Sequence, residues 1–538
     1  MHLSRGMLKI LGILIIVGHF TISNSQTVYH HISNKEIYFF LDEMANLGLI
    51  EINSAIKPYS RMFIASKLDE VQEHTGKLNK RQLEELNFYL RDFNKELLPG
   101  KNYKKRLDLF YYKDSLFTFS INPILGVQYW TNQNGNNYHT WNGAEVFAYV
   151  GKYLGVYANL RDNHEEKRLS SAEYLDKRPA ARYKSGTDYS EMRGGMTLSW
   201  NWGTFGLVKD HIEWGNNYHY PSIISGKAPS FTQLKLNLKP AEWLDFNYFH
   251  GWLNSGIIDS TRSYSYINNY RTSTRIVYRK KYIAANMFTF KPLKGLFASV
   301  GNSIVYSDVD VNPVYLIPFM LYKSIDHTLN HNLSNDGGQN SQFFIDVSSR
   351  QINHVHLYAS LFFDDISISR LKQNGHLDYY SLNTGFKVSN LIPNLSFCFE
   401  YFQSYPLVYK HDMPTTSYES NFYNLGHFMQ DNSRSYYADI VYRPLKGFYI
   451  KFYYNRAEHG PDHESLGTDR QEVVNLFLDS VEWETSKFGL SLSYQLFNDL
   501  YFFGELTYNT VKGDIDKYST PYFHGELYTI SFGANIGF

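Results

Sequence analysis

From about Ser115 to the C-terminus, hydrophobic and polar residues alternate with a period of two. In the last segment Tyr528, Ile530, Phe532, Ala534, Ile536 and Phe538 fall on one face, and Thr529, Ser531, Gly533, Asn535 and Gly537 on the other. Phe448, Ile450, Phe452 and Tyr454 oppose Tyr449, Lys451, Tyr453 and Asn455 in the same way. So do Leu490, Leu492, Tyr494 and Leu496 against Ser491, Ser493 and Gln495. Successive strand residues point to opposite faces, so each run has one apolar and one polar side. That is what lipid outside and water inside require of a barrel wall. A soluble β-sandwich also alternates, but the aromatic strand ends and the terminal Phe538 favour the membrane barrel.

The connections give an independent strand count. Lys291-Pro292-Leu293-Lys294-Gly295-Leu296 returns almost unchanged as Arg443-Pro444-Leu445-Lys446-Gly447-Phe448, with looser versions at 239–244 and 390–395. Proline fits where the chain leaves the ladder, and glycine where it reverses. Between these tight turns lie polar stretches at 131–141, 163–189, 215–230, 255–271, 307–341, 406–432, 458–485 and 510–522. Short turns on one rim and long loops on the other predict a mainly β fold, a transmembrane outer-membrane β-barrel of about 18 antiparallel strands. The lumen-side Tyr449, Tyr453, Tyr501 and Phe503, and an apolar Val314–Leu321 segment able to fold inward, predict a partly filled interior.

Before the wall the period is helical. Ser33-x-x-Glu36 has the form of a capping box, followed by Ile37, Phe40, Leu41, Met44 and Leu47 at helical spacing. Ser60 and Asn79 are placed to cap two further helices. The expectation is a small N-terminal bundle over 26–104, on the periplasmic side because an even strand number puts both chain ends there. Residues 105–538 then form the barrel. Residues 1–25 read as a signal peptide, with Arg5 and Lys9, an apolar stretch to Ile22, and small residues at Ser23–Ser25. The protein is therefore expected in the cell outer membrane, with outer-membrane lipid and the barrel-assembly machinery as partners.

Composition narrows the chemistry. The 52 Lys+Arg balance 52 Asp+Glu, so there is no basic excess of the kind nucleic acid requires. The single Cys398 excludes a disulfide framework and a Cys-rich metal site. No HExxH, GxSxG or Walker loop occurs. The adjacent carboxylates Glu165-Glu166 and Asp364-Asp365 point to opposite faces of a strand. No catalytic residue, metal or cofactor is assigned.

Several motifs in order along the chain carry a resemblance. Lys209-Asp210-His211, Glu213-Trp214-Gly215, Ile223-Ile224-Ser225 and Ala228-Pro229-Ser230-Phe231 resemble the middle signature of the Wzi capsule-assembly family. Asn312–Phe319 and Leu357–Asp365 are similar to later parts of it. The Lys57-Pro58-Tyr59-Ser60-Arg61 segment resembles its N-terminal region, including relatives of the RemB gliding-motility type. The resemblance implies an outer-membrane barrel with a helical bundle that tethers capsular polysaccharide as a surface lectin, with a part in adhesion or gliding.

Composition in two stretches suits that role. Residues 129–142 carry Trp130 and Trp141 among asparagines, and 213–220 carry Trp214, Asn216, Tyr218 and Tyr220. Aromatic faces pack on the C–H face of a sugar while amides satisfy its hydroxyls. These six residues are the candidate glycan site, with extracellular or capsular polysaccharide as partner. The alternative is an outer-membrane porin or transporter of a small solute, the aromatics forming an interfacial girdle.

Overall fold

The structure is a computed structural model describing residues 26–97, 108–184, 186–268, 270–330, 339–364, 379–463, 476–497 and 499–537. The expected signal peptide and Phe538 lie outside these. Eighteen antiparallel strands close into a barrel. In chain order they are β1 (Phe117–Asn132), β2 (Gly135–Val150), β3 (Leu154–Glu165), β4 (Asp188–Trp200), β5 (Gly203–Asp210) and β6 (Phe231–Ala241). Next come β7 (Leu244–Ile258), β8 (Tyr278–Leu293), β9 (Leu296–Ser307), β10 (Asn340–Ser349), β11 (Val355–Asp364) and β12 (Tyr380–Ser389). The last six are β13 (Leu395–Ser404), β14 (Ser433–Tyr442), β15 (Phe448–His459), β16 (Trp483–Phe497), β17 (Leu500–Gly513) and β18 (Glu526–Ile536).

Each strand pairs with the next, and β18 closes on β1, with Ile530 opposite Thr131 and Ile536 opposite Leu125. Nearer its start, residues Thr118–Ile121 of β1 pair instead with the short strand Phe110–Lys113. The predicted face pattern holds: Phe452, Phe488, Leu490, Ile530 and Phe532 are exposed on the outer surface, whereas Tyr449, Tyr453, Thr529 and Ser531 are buried within. One rim has tight turns. Gly295 and Gly447 each take φ +71° there, a conformation that only glycine adopts without strain, which explains the repeated Lys-Gly turn.

Two expectations about the loops are corrected. Residues 131–141 are not a loop: the β1–β2 ladder stays paired out to Asn132 opposite Gly135. The asparagines there alternate between faces, and Asn134 caps the Tyr522 and His524 carbonyls. The Val314–Leu321 segment does not enter the lumen. It folds back over the outer wall of β7–β9, where Phe319 stacks on Phe246 at 4.5 Å. The reason is polar: outward-facing Asn286 donates to the carbonyls of Pro318 and Met320, and Tyr248 to that of Tyr315. Lipid would leave all of these groups unsatisfied.

At the turn rim sit three helices, α1 (Lys35–Asn46), α2 (Arg61–Gln72) and α3 (Lys80–Asp92). Ser60 Oγ accepts from Phe63 N, and Asn79 forms a capping box with Gln82. The box expected at Ser33 does not form. The chain bends at residues 31–34, Asn34 N donating to His31 O, and α1 starts at Lys35. Phe40, Leu41, Met44, Ile64, Leu68, Val71, Leu86, Leu90 and Phe93 make the bundle core.

Candidate functional site: a lumen filled from both ends

The segment before α1 runs along the inner wall. Gln26 Nε2 donates to the carbonyls of Val150 (3.1 Å) and Gly151 (2.8 Å), and the Tyr29 hydroxyl to Asn237 (2.9 Å). The helices then dock on the turn rim through buried charges. Arg350 reaches Asp42 (2.9 Å), Asn46 (2.7 Å) and Ser54 (2.6 Å). Arg81 bridges Glu43 and Glu85, each at 2.5 Å, and Arg443 also pairs with Glu43. Burial pushes the Glu85 carboxyl up to about 7, against the pull of Arg81. Beside this contact, between α2 and the rim, lies a crevice of about 590 Å³ with Trp200, Trp202 and Trp243 in its lining.

From the opposite rim, residues 211–230 fold down into the lumen. There Ile56-Lys57 pairs antiparallel with Glu213-Trp214, and Gly215 N donates to Ala55 O at 2.8 Å. A piece of the helical region and a piece of a loop thus meet in one small sheet inside the barrel. Trp214 stands edge-on to Phe249 (5.2 Å) and Phe344 (5.9 Å) from the wall. Residues 405–432 also turn inward. Ile223, Ile224, Val408, Tyr409, Tyr418 and Leu425 pack with Trp214 and with Ile283, Ala285, Met287, Val305, Phe344 and Phe362 of the wall.

Carboxylates on the wall hold these loops. Asp346 of β10 accepts from Asn216 N (2.9 Å) and from the Ser360 hydroxyl. Glu400 of β13 accepts from the backbone N–H groups of Tyr218 (2.9 Å), His219 (3.3 Å) and Tyr220 (3.2 Å), and from the Tyr358 hydroxyl (2.7 Å). Asp364 of β11 accepts from Tyr409 N at 2.8 Å. Three consecutive N–H groups on one carboxylate form an anion nest, which fixes the loop backbone. Nearby, the Lys177 ammonium lies 3.0 Å from His219 Nδ1, over the Tyr437 ring. Burial, reinforced by Lys35 and Lys451, holds that ammonium well below the ordinary lysine range.

All six predicted site residues face inward, and five are buried. Trp214 and Asn216 are each 1% exposed, Trp130 6%, Trp141 8% and Tyr220 9%, with Tyr218 half-buried. Trp214, Asn216, Tyr218 and Tyr220 lie together in the inserted loop. Trp130 and Trp141 stand apart on the inner face of β1 and β2, under the guanidinium groups of Arg178 and Arg161. The five buried residues are packed among neighbouring side chains, and Asn216 is held by Asp346. Of the paired carboxylates, Glu165 is buried on Arg178 and Tyr183 while Glu166 is exposed.

Among the described residues two clusters each bring three histidine and aspartate side chains together, His31–Asp210–His211 and Asp431–His459–Asp462. In each a basic group already serves the carboxylate: Arg193 on Asp210 at 2.9 Å, and Lys410 on Asp431 and Asp462 at 3.0 and 2.9 Å. Sequence reasoning passed over Asp346, Asp364 and Glu400 as anchors. One signal was available: in β7–β9, Phe249, Ile283, Ala285, Met287 and Val305 put apolar residues on the inner face, where a water-filled lumen would want polar ones.

No protein-family model and no curated protein sequence matches this chain. Solved structures do resemble it. Wzi, an Escherichia coli outer membrane protein involved in group 1 capsule assembly and described as a carbohydrate-binding β-barrel, is 13% identical with a TM-score of 0.58, over 96% of this chain and 100% of that one. OprD of Pseudomonas aeruginosa is 10% identical with a TM-score of 0.40, over 78% of this chain and 94% of that one. OpdK of the same organism, solved with vanillate, is 10% identical with a TM-score of 0.43, over 78% and 98%. At these identities the likeness is one of fold.

Proposed function

We propose that this protein is an outer-membrane barrel that holds extracellular polysaccharide at the cell surface and does not conduct solutes. The tight turns and helices then face the periplasm, and the long loops face outward. One observation carries the reading: an apolar core, built by two inserted loops and the inner wall, occupies the lumen. A porin keeps a polar, water-filled interior, and burying Trp214 among Phe249, Phe344 and Ile224 removes the space such an interior needs. The Wzi-like fold supports the reading at the level of architecture. Because the aromatic loop residues predicted as a sugar platform are buried, polysaccharide contacts fall to the outer surface of the loops.

The test is a deletion strain compared with its parent. Polysaccharide released into the medium from the deletion strain, with unchanged uptake of small solutes, is the expected result. Full retention of polysaccharide together with a loss of solute uptake would favour the transport function instead.

A further inference from the structure

Between β7 and β8 a two-stranded hairpin projects from the loop rim, Tyr264–Asn268 paired with Arg271–Arg275. Its register sets Tyr264 opposite Arg275, Tyr266 opposite Ser273 and Asn268 opposite Arg271. Alternate strand residues share a face, so Tyr264, Tyr266, Arg271, Ser273 and Arg275 present one surface. The two rings stand 6.3 Å apart and are 53% and 45% exposed. The cations around the base of the hairpin are paired: Arg262 with Asp259 at 3.5 Å, Arg279 with Asp308 at 3.4 Å, and Lys280 with Asp310. Arg271 and Arg275 pair with no carboxylate among the described residues. Arg275 Nη1 donates to the Tyr264 hydroxyl at 3.5 Å.

We infer that this face binds an acidic polysaccharide, the Tyr264 and Tyr266 rings packing on sugar C–H faces and Arg271 and Arg275 gripping uronate carboxylates. The inference rests on the polysaccharide-holding function proposed above and names the chemistry of its ligand. Guanidinium groups match carboxylates in a bidentate geometry. Tyrosine supplies an amphipathic ring that tolerates both water and a sugar face. The two arginines, four residues apart on one strand, lie about 13 Å apart at roughly 3.3 Å per residue. That spacing suits a polymer with repeated charges better than a single small anion. Exposed aromatics in a projecting hairpin also cost solubility unless something covers them.

The experiment titrates the full-length protein in detergent with polysaccharide from the strain that makes it, native and after carboxyl reduction, which turns uronates into neutral sugars. Native polymer is expected to bind at least ten-fold more tightly than the reduced form, and the advantage to shrink as salt rises. The doubly substituted R271Q/R275Q protein should lose that advantage while still binding the reduced form. The Y264A/Y266A protein should lose affinity for both forms. Equal binding of native and reduced polymer, or an unchanged advantage in the arginine variant, overturns the hairpin assignment and leaves the polysaccharide function standing. Absence of binding of either polymer to the wild-type protein overturns both. Binding that appears only with vesicles of anionic lipid assigns the arginines to the membrane surface and likewise overturns the inference.

Discussion

At the turn end, the barrel is closed by side chains of one region meeting side chains of another: Arg350 on Asp42 and Asn46, Arg443 on Glu43, and Arg81 on Asn394. At the loop end, wall carboxylates capture backbone instead. Asp346 takes the N–H of Asn216, Glu400 those of residues 218–220, and Asp364 that of Tyr409. Buried ion pairs recover little net energy but are costly to break on one side. Backbone capture depends less on side-chain identity in the loop, so the inserted loops can vary in sequence while keeping their path. The helical closure is therefore sensitive to single substitutions, and the loop closure is more tolerant of them.

Arg350→Ala gives the largest expected effect, because it leaves the Asp42 carboxylate buried without its charge partner and the Asn46 Oδ1 without its donor, at a cost of about 3–5 kcal/mol. Protease cleavage between the helices and the wall should become rapid while the barrel itself stays folded. Resistance equal to the wild type would show that the ion pairs do not fasten the helical region. Glu400→Gln is expected to cost less, about 1–3 kcal/mol, since an amide oxygen still accepts while charge assistance is lost. Cleavage within residues 211–230 should rise, and cleavage of the helices should not.

The smallest effect lies where three loops meet. Burial alone would raise the Asp462 pKa, but Lys410 and Lys517 outweigh it and hold the carboxyl well below its ordinary 3.8. A depressed carboxylate stabilises the folded state above the ordinary value, and that stabilisation is lost as the pH falls through the folded value. Acidification below about pH 4 should loosen this junction by less than about 1 kcal/mol, given its partial exposure. Asp462→Asn should remove this part of the pH dependence in loop proteolysis, and a variant as acid-sensitive as the wild type would place the titration elsewhere.

The wall was legible because one physical rule, apolar outside and polar inside, repeats in runs such as 448–455 and 526–536. The caps at Ser60 and Asn79 were legible because capping is local. The interior was not, because its contacts join distant segments: Trp214 meets Ile56 and Phe344, and Glu400 meets Tyr218. A motif such as Glu213–Tyr220 has the same composition whether its rings bind sugar or fill a barrel. The alternation also weakens in β7–β9, where both faces are covered, the inner by the inserted loops and the outer by residues 313–322. There the sequence shows burial without showing what does the burying.

Single-channel recording of the purified full-length protein in a planar bilayer shows whether the lumen is closed. The expected trace shows insertion without large open steps, at either polarity and at high salt. Stable, ohmic steps of the size given by open porins would contradict the filled lumen and favour transport over polysaccharide holding.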